Sequence, residues 1–257
     1  MKKLITIGVF ILLSHLVLQA QNQANTWYFC YKNGLDFNSG EPVLLNNCPN
    51  PVWRTACISD TNGNLLFFED SRNIYNKDLE IMQGGEGLLG GFDTKQPTVI
   101  VPHPGNTNLY YVFTVGSYHA PYGLLYSIVN ISTNNGNGSV IEKNVAVANG
   151  TWARHRVTAV RHSNNIDWWI ITRFYQANEP GRYACFLLTS NGVNPIPVIS
   201  PATELLNSQK EGNLKVSHDK KKLISVMVGD AAIFGKFDVC NFNASTGEIK
   251  HQFSIKE

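Results

Sequence analysis

Short, almost unbroken apolar runs separated by turn clusters are the feature that most constrains the fold of this 257-residue chain. Four such runs are Leu65–Phe68, Tyr110–Phe113, Trp168–Ile171 and Cys185–Leu188. A strand with one buried face alternates apolar and polar residues, so strands without this alternation are buried on both faces. No segment shows helical periodicity over three or more turns. The pattern predicts an all-β protein whose sheets are covered on both sides by other sheets.

An internal repeat indicates how those sheets are arranged. Each unit has a strand, a turn rich in Asn, Asp or Gly, an apolar strand and a second hairpin, and the units occupy residues 56–76, 98–131, 157–199 and 213–255. Stacked propeller blades cover antiparallel sheets on both faces without helices. We therefore predict a β-propeller-like domain over residues 25–257, with four to five four-stranded antiparallel blades in an incomplete or truncated ring. Residues 27–45 would form the incomplete fifth blade.

The N-terminus predicts export. Lys2 and Lys3 precede a mostly apolar stretch from Leu4 to Leu18, and Ala20 supplies a small residue for cleavage, which is the order found in secretory signals. The stretch is shorter than the roughly 20 residues that span a bilayer, and no basic stop-transfer cluster follows it. We predict a cleaved signal peptide over residues 1–20 and no transmembrane segment in the mature chain. We therefore expect the mature chain to be exported through the inner membrane and to lie at the cell surface, in the medium or in the periplasm.

Charge and cysteine content narrow the classes of partner and site. Loss of Lys2 and Lys3 with the signal leaves equal numbers of basic and acidic residues, so the basic excess that drives nucleic-acid binding is missing. Five cysteines are an odd number for an oxidising compartment, so at most two disulfides can form. None of them lies in a C-x-x-C arrangement, which argues against a zinc ribbon.

A set of short motifs, in a fixed order, resembles one protein family. The motifs are Trp27-Tyr28-Phe29, Gly34-Leu35-Asp36-Phe37, Ile58-Ser59-Asp60, Gly63-Asn64-Leu65, Ile100-Val101-Pro102, Tyr110-Tyr111-Val112-Phe113 and Gly212-Asn213-Leu214. They resemble the N-terminal propeller-like region of large Bacteroidota surface proteins that end in a gliding-motility-associated, type IX secretion sorting domain. The resemblance covers nearly all of residues 25–257 and implies a cell-surface binding role.

The chain departs from that family in two ways that affect what the resemblance implies. Cys30 stands where the family usually has Gly after Trp-Tyr-Phe, and the sequence reaches Glu257 without a sorting domain. We therefore expect a truncated member of the family or a fragment of one. The residues present do not imply secretion by the type IX route.

One turn resembles the start of a calcium loop. Asp60, Asn62 and Asn64 place oxygen-bearing side chains at alternate positions, as ligands of a hard cation such as Ca²⁺ are placed. The bidentate Glu that ends such loops is missing. The same residues suit a hairpin turn, which we favour over the metal site.

Other residue types suggest binding or catalysis. Trp53 and Trp152 lie in predicted loops, where their rings could stack on the apolar faces of sugars. A glycosidase needs two facing carboxyl groups, for which the candidates are Asp36, Glu69, Asp70 and Asp167. The histidines have no close ligand spacing; they include His103, His119, His155, His162 and His218.

Three functions remain open at this point. The favoured one is a non-enzymatic exported binding or scaffold module with a protein or glycan partner. The second is a propeller-type carbohydrate-active enzyme, a glycosidase or a lyase. The third is a nonfunctional truncated fragment of a larger surface protein.

Overall fold

The computed structural model describes residues 22–29, 33–49, 54–91, 93–117, 121–147, 153–175, 180–203, 212–227 and 235–256. These residues form twenty strands and two short 3₁₀ turns, and no α-helix occurs among them. Within the same ranges, no helix is long and apolar enough to cross a membrane. The all-β prediction is confirmed.

The strands form five consecutive antiparallel units, which we call blades 1 to 5. Blade 1 consists of β1 (Thr26–Phe29), β2 (Asn33–Asp36) and β3 (Val43–Leu45). Blade 2 consists of β4 (Ala56–Ser59), β5 (Leu65–Glu69), β6 (Asn73–Asn76) and β7 (Ile81–Glu86). Blade 3 consists of β8 (Thr98–His103), β9 (Asn106–Val115), β10 (Leu124–Asn130) and β11 (Ser139–Ala146). The outer strands β7 and β11 pair in parallel at Gln83 and Ser139, so blades 2 and 3 form one eight-stranded sheet.

Blades 4 and 5 complete the series. Blade 4 consists of β12 (Ala153–Arg161), β13 (Trp168–Phe174), β14 (Arg182–Thr189), β15 (Gly192–Val193) and β16 (Val198–Pro201). Blade 5 consists of β17 (Gly212–Val216), β18 (Lys222–Met227), β19 (Lys236–Phe242) and β20 (Ile249–Lys256). The prediction of a propeller-like fold with four to five blades is confirmed, with two differences of detail. Blade 1 has three strands, and the fourth strand of blade 4 is split into β15 and β16, which both pair with β14.

Adjacent residues on the middle strands are buried in different inter-blade cores, as the unbroken apolar runs predicted. Phe68 packs between blades 1 and 2, and Phe67 packs between blades 2 and 3. Phe186 faces blade 3, whereas its neighbour Cys185 faces blade 5. Each blade is therefore held by apolar contacts on both of its faces wherever it has two neighbours.

Polar side chains tie the first strands of the blades together near the axis. The strands β4, β8, β12 and β17 are spatial neighbours in that order. Gln96 forms a parallel bridge with Arg156, and its side chain donates to Leu214 O at 3.1 Å and accepts from Leu214 N at 2.7 Å. Arg156 is fully buried and donates to Val226 O at 2.5 Å. Because these contacts join blades 3, 4 and 5, they fix the curvature of the arc.

Blade 1 contacts blade 2 through two strands, β1 and β4, that run in opposite directions. Tyr28 O accepts a hydrogen bond from Thr55 Oγ1 at the start of β4, and Tyr28 N donates to Cys57 Sγ at 3.2 Å. Thr26 Oγ1 contacts Gly63 O, beyond the other end of β4, at 3.4 Å. Thus β1 runs antiparallel to β4, as the second strand of a blade does. Among the described residues, blade 1 has no innermost strand, and the side chains of Thr55 and Cys57 bond to the free edge of β1 at Tyr28.

Candidate binding cleft

An open cleft of about 550 Å³ lies between blades 1 and 2. Blade 1 contributes Tyr28 and Asp36 from its strands, and Asn38 and Asn47 from the segments that follow β2 and β3. Blade 2 contributes Asn64 from the β4–β5 turn, and the β6–β7 turn contributes Lys77 and Asp78. Its volume lies within the range of small-molecule sites, and it is shallow and widely open to solvent.

The wall on the side of blade 1 is held by a chain of hydrogen bonds. Asp36 Oδ1 accepts from the backbone N–H of Asn38 at 2.8 Å, and Asn38 Nδ2 donates to Gly63 O at 3.0 Å. Gly63 has a φ of +89°, and a Cβ there would lie 1.7 Å from Asn38 Oδ1. Glycine is therefore required for this close approach, which joins the two blades at the cleft.

Tyr28 lines the cleft and also packs near Cys48 and Cys57 in the core between blades 1 and 2. Tyr28 OH donates to Asn47 Oδ1 at 3.3 Å, and burial, with Cys48 nearby, raises the pKa of the Tyr28 hydroxyl. Burial also raises the pKa of the Cys57 thiol to about 12. The Cys57 thiol is therefore protonated at neutral pH, and its sulfur accepts the Tyr28 N–H.

The turn between β6 and β7 presents the charged residues of the opposite wall. Asn76 Oδ1 accepts from the backbone N–H groups of Asp78 and Glu80 at 2.9 Å and 3.0 Å, which fixes the turn. Asp78 Oδ2 accepts from Asn137 Nδ2 of blade 3 at 2.8 Å. Lys77 and Asp78 are both exposed. Amide, carboxylate, ammonium and hydroxyl groups thus face one cleft, the mixture that hydrogen-bonds to the hydroxyl groups of a polar ligand.

The Asp60–Asn64 segment forms the hairpin turn that we favoured. Asp60 Oδ1 accepts from the backbone N–H groups of Asn62 and Asn64 at 2.8 Å and 2.9 Å, and Oδ2 accepts from Asn64 Nδ2 at 3.0 Å. Slight burial raises the Asp60 pKa, but these hydrogen bonds outweigh it and hold the pKa below its usual value. Of the three proposed calcium ligands, Asn64 also lines the cleft. Within the described ranges, no group of three or more His, Cys, Asp or Glu residues is arranged to hold a metal ion, and the Ca²⁺ site stays a prediction.

The four carboxyl groups considered for catalysis lie in separate environments. Asp36 lines the cleft, whereas Asp167 lies before β13 of blade 4 and accepts from Asn164 Nδ2 at 2.7 Å. Asp70 accepts from two backbone N–H groups and from Tyr75 OH at 2.9 Å, as the anchor of the β5–β6 turn. Glu69 is fully buried and lines no part of the cleft. The carboxyl group that shares the cleft with Asp36 is Asp78, which the sequence analysis did not single out.

The remaining candidates divide into two groups. Trp53, Trp152 and His119 lie outside the described residues, and the ligand-binding role of the two tryptophans stays a prediction. His103 stacks on Tyr111, and His162 Nδ1 accepts from the backbone N–H of Asn164 at 3.1 Å. His155 is buried, and His218 lies in the β17–β18 turn.

Comparison with known proteins gives only distant similarity. No protein-family model and no curated protein match the chain. Among solved structures, the chain is similar to an exo-β-1,3-galactanase from Phanerochaete chrysosporium, with a TM-score of 0.37, 11% identity and coverage of 68% of this chain and 42% of that one. It is similar to a thermostable family-43 glycoside hydrolase, with a TM-score of 0.38, 10% identity and coverage of 63% and 52%. A third similar structure is hydrazine synthase from Kuenenia stuttgartiensis, with a TM-score of 0.37, 11% identity and coverage of 84% and 61%. The chain spans about half the length of the two glycoside hydrolases.

Proposed function

We propose that the chain is an exported, non-enzymatic binding module and that the cleft between blades 1 and 2 takes a glycan. The observation that carries this proposal is the lining of the cleft by amide, carboxylate and ammonium groups on two blades. Sugars present many hydroxyl groups, each of which is a donor and an acceptor, and such side chains satisfy them in pairs. Export rests on the signal predicted over residues 1–20, and a place at the cell surface of a Bacteroidota species rests on the family resemblance.

The test is binding of the mature chain to a panel of soluble β-glucans, xylans, pectins and galactans, measured by affinity electrophoresis. For any polysaccharide that binds, the Asn47→Ala/Lys77→Ala double variant should lose at least tenfold in affinity. These two side chains are exposed and line the cleft, and Asn47→Ala also removes the acceptor of the Tyr28 hydroxyl, so a circular dichroism melt should verify that the variant is folded. The matched control is Asn191→Ala/Lys221→Ala, which removes exposed side chains of the same types from blades 4 and 5. Absence of binding to the whole panel would favour a protein partner.

A second candidate, a glycosidase, is favoured by one observation: Asp36 and Asp78 line the same cleft. Two carboxyl groups on opposite sides of a cleft are the minimum requirement for acid–base cleavage of a glycosidic bond. Release of reducing ends from a bound polysaccharide, lost in Asp78→Asn, would establish this function. Binding without release, in the same assay, would establish the binding module.

A further inference from the structure

The β10–β11 turn of blade 3, residues 131–138, borders the cleft, and we call it the blade 3 turn. Because β7 and β11 pair in parallel, the turns that precede these two strands lie side by side at one edge of the joined sheet. Asn137 Nδ2 of the blade 3 turn donates to Asp78 Oδ2 at 2.8 Å. A Cβ at Gly136 would lie 3.5 Å from Lys77 Nζ. The blade 3 turn therefore adjoins both charged residues of the β6–β7 turn.

Hydrogen bonds within the blade 3 turn fix its shape. Thr133 O accepts from the backbone N–H groups of Gly136 and Gly138 at 2.9 Å and 3.0 Å. Asn134 and Asn135 have φ values of +48° and +54°, in the left-handed region that asparagine tolerates better than most residues do. Both asparagine side chains are exposed. The turn thus presents two amide groups to solvent beside the cleft, in a shape that exists before a ligand binds.

The open form of the cleft favours a ligand that extends beyond it. Sites for small molecules enclose about 70–90% of the ligand surface, whereas this cleft is shallow and widely open to solvent. Tyr28 is the one aromatic residue among the described residues that line the cleft, and it is buried. Stacking on sugar rings therefore contributes little, and affinity depends on hydrogen bonds. Because each hydrogen bond contributes little by itself, a longer contact surface is needed.

The charge of the lining favours an uncharged ligand. Among the described residues that line the cleft, Asp36 and Asp78 supply two carboxylate groups and Lys77 supplies one ammonium group. The blade 3 turn contains no charged residue. A polyuronate would bring its own carboxylate groups against this lining, and such contacts between like charges are unfavourable.

We propose that the ligand is an uncharged glycan chain that passes from the cleft over the blade 3 turn. This inference rests on the proposed function and adds a ligand class to it. Two strand spacings separate the centres of the β6–β7 turn and the blade 3 turn, roughly 10 Å, which is more than one sugar unit spans. Short oligosaccharides occupy the cleft alone, whereas longer ones also reach the amide groups of Asn134 and Asn135.

The test uses oligosaccharides of two to six units from an uncharged polysaccharide that the mature chain binds. They compete with the parent polysaccharide, and the concentration for half inhibition gives their relative affinities. Wild-type affinity should rise about tenfold or more with length, because each added unit brings further hydrogen bonds. The Asn134→Gly/Asn135→Gly variant removes both amide groups and keeps the backbone shape, since glycine adopts positive φ without strain. It should bind the shortest ligand as the wild type does and lose most of the rise.

The matched control is Asn165→Gly, which changes an exposed asparagine with a φ of +60° in the β12–β13 turn of blade 4. It should bind every ligand as the wild type does, and circular dichroism melts should verify that both variants are folded. An affinity independent of length, a double variant that keeps the whole rise, or preference for an acidic polysaccharide overturns this inference alone, because a glycan is still bound. Absence of binding to every polysaccharide overturns the proposed function and this inference with it.

Discussion

Glu69 is a carboxyl group that the fold keeps away from water. It accepts from the backbone N–H groups of Ala56 and Ser71 at 2.9 Å and 2.6 Å, and it is fully buried. Burial is the largest influence and raises its pKa from 4.5 to about 8. At neutral pH the group is thus mainly protonated in the folded chain and ionised in the unfolded chain.

This difference predicts how stability depends on pH. The contribution of Glu69 is fully present below its unfolded pKa near 4.5 and is lost as pH rises toward 8, because only the unfolded chain ionises freely. Relative to Glu69→Gln, the wild-type free energy of unfolding should fall by about 3 kcal/mol between pH 5 and pH 8. Urea denaturation at four pH values measures this difference.

The matched control for this experiment is Glu80→Gln, an exposed carboxyl group of the same blade. It should keep the wild-type dependence on pH. The amide nitrogen that Glu69→Gln introduces cannot accept an N–H as the carboxyl oxygen does, but this cost is constant with pH. Parallel curves for wild type and Glu69→Gln would mean that Glu69 is already ionised in the folded chain.

At the scale of elements, the β19–β20 turn is the place where blade 5 meets the indole of blade 4. Trp169 Nε1 donates to Ala244 O at 2.8 Å. Gly247 has a φ of +75°, and a Cβ there would lie 2.8 Å from the Trp169 ring. Gly247→Ala should lose roughly 2–4 kcal/mol of unfolding free energy, from left-handed backbone strain and from displacement of the ring.

Gly40→Ala separates these two causes. Gly40 also lies in a hairpin turn with a φ of +89°, but nothing lies within 4 Å of its Cβ position. The backbone strain alone should cost about 1–2 kcal/mol in urea denaturation. Equal losses in the two variants would show that the turn moves away from Trp169 at no cost.

Sequence patterns predicted the inner strands well and the outer strands poorly. The four apolar runs named from the sequence all lie within strands, namely β5, β9, β13 and β14, because both faces of these strands are buried. The rim strands β7 and β11 were not predicted, since they lie at the outside of the blades and are largely exposed. Lys77 and Asp78 lie in the turn that precedes β7. No sequence pattern therefore identified these two residues as part of a cleft. Asp36 was singled out only as one of four carboxyl groups.

At the scale of the whole molecule, contacts between distant segments decide the arrangement of the blades. Gln96 binds Leu214 across 118 positions of sequence, and Arg156 binds Val226 across 70. No local pattern marks Gln96 or Arg156 for these roles, because their partners are backbone groups, which every residue has. The number of blades was predictable from the repeat, whereas the reversed attachment of blade 1 was not.

Shared cores between successive blades predict that the described blades unfold together. Phe186 is fully buried between blades 3 and 4, and Phe186→Ala should cost about 3–5 kcal/mol. Tyr122→Ala is the control, because Tyr122 is an aromatic residue that is 46% exposed and belongs to no core cluster. Its loss should cost less than about 1 kcal/mol. Denaturation followed by tryptophan fluorescence and by far-ultraviolet circular dichroism should give one coincident transition in both variants. Two separate transitions in Phe186→Ala would show instead that blades 1 to 3 and blades 4 and 5 are independent units, each stable without the apolar contact at Phe186.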